Sequence, residues 1–139
     1  LQDGHPAWFA CDCLIFSLRD KGIFDRASVN VEDLFDVHYT LNKADRLRYL
    51  ESIGNHAMTI QGVDLDKNGK PDRWKIENSW GKEPGQNGYF VMSDEWFSDF
   101  VYDVVIRKEY LDQATLKVVN SKPVEIEAWD PLCKATRSE

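Results

Sequence analysis

Hydrophobic and polar positions are most regular in the middle of the chain. Residues 56–63 form an apolar run that reads as a buried strand, and residues 73–78 alternate apolar with polar, as a returning strand does. Between them, Asp66-Lys67-Asn68-Gly69-Lys70-Pro71 is a strong turn with Asn-Gly at its centre. Further strands are predicted over 89–92 and 101–106. A short apolar strand is expected over 7–11, after Gly4 and Pro6. Residues 12–30 are mixed, with Gly22 as a turn, and 81–88 is a loop bearing glycines at both ends.

Helical signals are short. Asn30 stands three residues before Asp33 at the start of a capped helix. Residues 43–50 have helical propensity, and their charges, from Lys43 to Arg48, suggest a solvated face. Ser93 or Asp94 caps a further helix that begins at about 93–97. The expected fold class is α+β, mostly antiparallel strands with small helices. Trp8, Phe9, Trp74 and Trp96 are assigned to the core.

At 139 residues the chain is one domain or part of one. Its five Trp, five Tyr and seven Phe supply a sizeable core. A net charge of -7 argues against a nucleic-acid partner and against an anionic membrane surface. No apolar run reaches the length of about 18 residues needed to span a bilayer. Leu1 is not Met and the opening is no signal peptide, so it reads like the middle of a longer protein. Three cysteines, Cys11, Cys13 and Cys133, fit a reducing, intracellular setting. Their spacing suits no zinc site, and no cofactor is expected. Asp64 to Asp72 begins like an EF-hand loop, but Lys75 stands where a bidentate Glu is required.

Folding the hairpin about Asn68-Gly69 brings His56 and Asn78 to its open end, within cross-strand or diagonal reach. An imidazole beside a carboxamide is the orienting pair of a cysteine peptidase. The Asn oxygen accepts from one ring N–H, and the other ring nitrogen takes the proton of a thiol. Trp80, two residues beyond Asn78, shares its face and shields the pair. His5 and His38 have no such context and are placed at the surface. Cys11 is read as a small buried strand residue, and Cys133 as incidental.

Asn78-Ser79-Trp80-Gly81 and His56-Ala57 resemble the N-S-W-G and H-A motifs of papain-like peptidases. More narrowly, the chain resembles the bleomycin hydrolase and aminopeptidase C family in several stretches. These are His56-Ala57-Met58, Gly62-Val63-Asp64-Leu65-Asp66, Asn68-Gly69-Lys70, Glu77-Asn78-Ser79-Trp80-Gly81, Gly88-Tyr89-Phe90-Val91, Pro6-Ala7-Trp8-Phe9-Ala10-Cys11-Asp12, Glu51-Ser52 and Trp129-Asp130-Pro131. The resemblance implies a papain-like fold and a thiol aminopeptidase acting on peptides with free amino termini. It also implies a cytosolic homo-hexamer. His56 and Asn78 would be catalytic, with Trp80 supporting. After Pro131 the chain departs from the family's usual tail.

The family's cysteine and oxyanion Gln stand much further upstream of the histidine than Leu1 stands from His56. The expectation is therefore a C-terminal part of a papain-like domain, inactive and prone to self-association without its N-terminal part. The alternative is an inactive remnant of the fold that binds peptides or serves assembly.

Overall fold

The computed structural model describes residues 1–135. One seven-stranded sheet organises them. Its strands are β1 (Ala7–Cys11), β2 (Ser17–Leu18), β3 (Ile23–Phe24), β4 (His56–Leu65), β5 (Pro71–Glu77), β6 (Tyr89–Ser93) and β7 (Val101–Val105), in the order β2-β3-β6-β5-β4-β1-β7. Every neighbouring pair is antiparallel except β3 with β6, which is parallel. The helices are short: α1 (Val31–Phe35), α2 (Lys43–Arg48), α3 (Asp94–Phe100), α4 (Gln113–Val119) and α5 (Pro131–Ala135). The tail residues 136–139, part of the divergent C-terminus, lie outside the described residues.

Alternation along the strands turns one face of the sheet into the core. Phe9 and Cys11 from β1, Met58 and Ile60 from β4, Ile76 from β5, and Phe90 and Met92 from β6 are all buried on it. Helix α3 lies across that face and buries Trp96 and Phe100. Phe24 stacks on Phe90 at 5.2 Å and packs against Trp96 at 4.9 Å, so the mixed 12–30 stretch closes one end of the core. Of the two capping candidates for α3, Ser93 is the cap: its Oγ accepts from the Trp96 N–H at 3.3 Å. The Asp94 carboxylate instead accepts from the Trp74 indole at 3.0 Å.

The structure corrects the placement of one tryptophan and puts another at the edge of the core. Trp8 is 60% exposed, because alternation places it on the outer face, opposite its buried neighbour Phe9. Trp74 is half-buried, stacked on Phe97 at 4.7 Å. The charged run on α2 is not a solvated face either. Arg46 is buried against Phe100 and donates to the carbonyls of Leu41 and Asp99 at 2.9 and 3.1 Å. Lys43 Nζ donates to the carbonyls of Ser98 at 2.9 Å and of Val101. Both side chains thus satisfy acceptors left open at the C-terminal end of α3, where the helix dipole also favours cations. Burial pushes the Lys43 ammonium below its usual pKa, and Asp99 opposes that shift. Arg46 and Arg26 share Asp99, at 3.3 and 2.8 Å.

The contrast with Arg48 is testable. Arg48→Ala removes an exposed pair with Asp45 and should cost under about 1 kcal/mol. Arg46→Ala leaves the Asp99 carbonyl at the end of α3 without its donor and the partly buried Asp99 carboxylate with one cation fewer, and should cost about 2–4 kcal/mol. Urea midpoints of the two variants, measured side by side, check this ordering.

Candidate active site

The β4–β5 hairpin decides which side chains meet. Its turn is held by Asp66, whose Oδ1 accepts from the N–H groups of Asn68 and Lys70, both at 2.8 Å. The Lys70 N–H is the largest reason that the Asp66 carboxyl sits below its usual pKa. Gly69 takes φ +77° there, the left-handed conformation that glycine adopts without strain. Beyond the turn the strands pair Gly62 with Lys75, Val63 with Trp74 and Asp64 with Arg73. A bulge at Gln61 then shifts the register, so that Ile60 faces Ile76 and Thr59 faces Glu77. A shift of one residue exchanges the faces of a strand. Had the earlier register continued, Asn78 would stand opposite Thr59. With the bulge, Asn78 falls on the face of His56 and Met58, as the diagonal neighbour of His56.

At the open end, His56 Nε2 lies 2.8 Å from Asn78 Oδ1. That same oxygen accepts from the Ser79 backbone N–H at 2.8 Å. A backbone N–H can only donate, so the amide atom facing the ring is the oxygen. His56 therefore carries its proton on Nε2, and Nδ1 is left as the basic nitrogen. Asn78 Nδ2 is buried with no hydrogen-bond partner among the described residues. It is a donor available to an acceptor from outside them.

Trp80 covers the pair. Its ring stacks on the His56 imidazole at 4.8 Å and meets the edge of Phe90 at 5.8 Å. The Arg19 guanidinium lies 4.4 Å from the Trp80 ring, within cation–π range. Sequence reasoning names His56, Asn78 and Trp80, and the structure brings all three together. It misses Arg19, which sits in a stretch without periodicity, far along the chain from its partner. The loop after Asn78 is held by glycines: Asn78 N–H donates to the Gly88 carbonyl at 3.1 Å, and Gly88 has φ +85°. A Cβ on Gly88 would come within 2.6 Å of the Gly81 carbonyl oxygen.

The cysteines stand apart from this geometry. Cys11 is fully buried, and its Sγ–H points at the His56 carbonyl oxygen at 3.7 Å, not at the ring. Burial first, then Cys13 and Asp12, raises the Cys11 thiol pKa far above its usual value. Burial, with Asp12 second, pushes Cys13 up to about 11. Neither is a thiolate at neutral pH. Cys133 lies on α5 and is half-buried. His5 and His38 are exposed, as expected.

An α+β chain whose hairpin aligns an imidazole with a carboxamide beneath an indole is the class that fold and site define. The chain belongs to the Peptidase C1-like family, whose model matches residues 1–133. It is 43% identical over 132 residues to an aminopeptidase C of Lactococcus lactis subsp. cremoris. Over 132 residues it is also 46% identical to an aminopeptidase G of Lactobacillus delbrueckii subsp. lactis. Both alignments cover 95% of this chain and 30% of the relative. The crystal structure of PepW from Lactobacillus rhamnosis HN001 superposes with a TM-score of 0.86 at 46% identity, again over 95% of this chain and 30% of that one. The chain thus spans under a third of the length of these relatives. The α+β, papain-like fold class expected from the sequence holds.

Two outcomes follow from this geometry. Iodoacetamide at pH 8 should modify Cys133 in the native protein and spare Cys11 and Cys13 until denaturant is added, which peptide mapping by mass spectrometry reads directly. Gly88→Ala should destabilise by about 2–4 kcal/mol, from the left-handed backbone and the clash with the Gly81 carbonyl, as measured by urea unfolding.

Proposed function

We propose that this chain is the histidine–asparagine part of a cysteine-type aminopeptidase. The cysteine and the oxyanion Gln would come from a preceding N-terminal part of the same polypeptide. The observation that carries this reading is the His56 Nε2–Asn78 Oδ1 bond, with the amide orientation fixed by Ser79 and the ring covered by Trp80. The relatives' names, aminopeptidase C and aminopeptidase G, support it.

The chemistry follows from the free Nδ1. It accepts the proton of a neighbouring thiol, leaving a thiolate–imidazolium pair. Asn78 is neutral, so it orients the imidazolium without competing with the thiolate for its charge. The thiolate attacks the peptide carbonyl, and the resulting oxyanion collapses as His56 gives its proton to the departing amine. A water, deprotonated by His56, then cleaves the acyl-thioester. Trp80 keeps competing water from the Nε2–Oδ1 bond. The substrate is a peptide with a free amino terminus, and no cofactor takes part.

A cytoplasmic homo-hexamer belongs to the same proposal. Among the described residues no helix is long and apolar enough to cross a membrane. The isolated chain is inactive and self-associates. Trp8 and its cross-strand partner Val105, 70% exposed, offer a contiguous apolar patch on the outer face.

The test is to treat the full-length polypeptide with a thiol-reactive peptidyl epoxide and map the label. A labelled cysteine upstream of Leu1 supports the proposal. Label on Cys11, Cys13 or Cys133 would overturn the assignment, and absence of any label would favour an inactive remnant that binds peptides or serves assembly. In the active protein, His56→Ala should lower kcat by about 10³-fold or more, and Asn78→Ala by about 10- to 100-fold, measured on an aminoacyl fluorogenic substrate.

A further inference from the structure

Behind His56 lies a polar cluster that the mechanism above does not use. Asp12, immediately after β1, is 4% exposed. Among the described residues no Lys, Arg or His lies within ion-pair distance of it. Neutral donors alone satisfy its carboxylate. Oδ2 accepts from the buried Ser52 hydroxyl at 2.7 Å and the Ile53 N–H at 3.4 Å. Oδ1 accepts from Asn55 Nδ2 at 2.6 Å and the Leu14 N–H at 3.3 Å.

Three of these four donors belong to residues 52–55, the turn that runs into His56. The same turn is pinned from the other side: Asn55 Oδ1 accepts from the Cys13 N–H, and the Asn55 N–H donates to the Cys11 carbonyl, both at 3.0 Å. Ser52 also bonds the Tyr102 hydroxyl on β7. The Asp12 N–H donates to the Phe100 carbonyl at 3.0 Å, at the end of α3. One residue therefore joins the end of β1, the end of α3 and the turn before β4.

His56 is the first residue of β4. Its backbone pairs with Cys11 at the end of β1, but the strand does not continue before it, so its position also depends on what holds residues 52–55. We propose that Asp12 is a positioning residue: its buried carboxylate, bonded only to neutral donors, fixes the 52–55 turn and so delivers His56 to Asn78. A carboxylate suits this place because it only accepts, and three of its four donors, the Ile53 and Leu14 N–H groups and the Asn55 NH2, cannot accept in return. A carboxamide there would turn an NH2 group onto either the Ile53 N–H or the Leu14 and Asn55 donors, leaving donors facing donors in a buried site. The proposal rests on reading His56 as the base, and its test separates the two.

The experiment uses the full-length polypeptide with Asp12→Asn and, as the milder variant, Asn55→Ala, which removes one arm of the clamp at an exposed turn. Two readouts are taken. One is the exchange-protected Nε2–H resonance and 15N tautomer pattern of His56; the other is kcat and KM on an aminoacyl substrate. For Asp12→Asn, kcat should fall about 10- to 100-fold with KM changed less than threefold, and the protected Nε2–H signal should be lost. Asn55→Ala should lose about 3- to 10-fold in kcat with a weakened signal. If Asp12→Asn does not fold, Asn55→Ala alone decides. A folded variant that keeps both the His56 signal and kcat overturns the proposal. If the unaltered protein has no peptidase activity but the His56 signal still moves, the positioning role stands and the peptidase reading falls.

Discussion

The register of a single β-hairpin governs everything else in this structure. Side chains on a strand alternate between faces, so one residue of slip would send Asn78 away from His56. The bulge at Gln61 supplies the needed shift. What selects that register is burial: Met58, Ile60 and Ile76 all enter the core only when paired as observed. Three buried apolar side chains are worth several kcal/mol, far more than one partly exposed hydrogen bond. The polar pair is thus aligned by hydrophobic packing, not by its own attraction.

The surroundings of the pair then decide its chemistry. The imidazole has a neutral amide at one nitrogen and an indole on its face. Trp80 is itself held by Phe90 on one side and Arg19 on another. Phe90 is part of the core, so the cover over the site is continuous with the packing of the fold. A mobile indole would admit water to the Nε2–Oδ1 bond. A packed one keeps that bond directional.

Much of this is legible in the sequence because its signals are local. Asn68-Gly69 between two apolar runs specifies a hairpin, and counting back from it brings His56 and Asn78 to the same end. Ser93 and Asn30 cap their helices where they stand. What the sequence conceals is non-local. The strand pair 17–18 and 23–24 is too short to pattern, and the parallel seat of β3 beside β6 depends on a partner distant in the chain. Large aromatics usually bury, which points Trp8 inward, but the alternation of β1 places Phe9 inside and Trp8 outside. Lys43 and Arg46 read as solvated because a helix as short as α2 shows no reliable amphipathic period. Apart from the Leu41 carbonyl, the acceptors they serve belong to α3 and its end, on the far side of the β4–β5 hairpin in sequence.

Those hidden contacts converge on one place, the C-terminal end of α3. The carbonyls of Ser98 and Val101 accept from Lys43, that of Asp99 from Arg46, and that of Phe100 from the Asp12 N–H. Arg46 is also where the chain turns toward the site: its own carbonyl accepts from the N–H groups of Glu51 and Ser52 at 2.9 and 3.3 Å. Ser52 then bonds Asp12, and the turn that both hold ends at His56. A helix end needs its last carbonyls satisfied, and here the groups that satisfy them also build the mount for the imidazole. The strands set the face on which His56 meets Asn78, and this polar frame sets where along that face the imidazole stands.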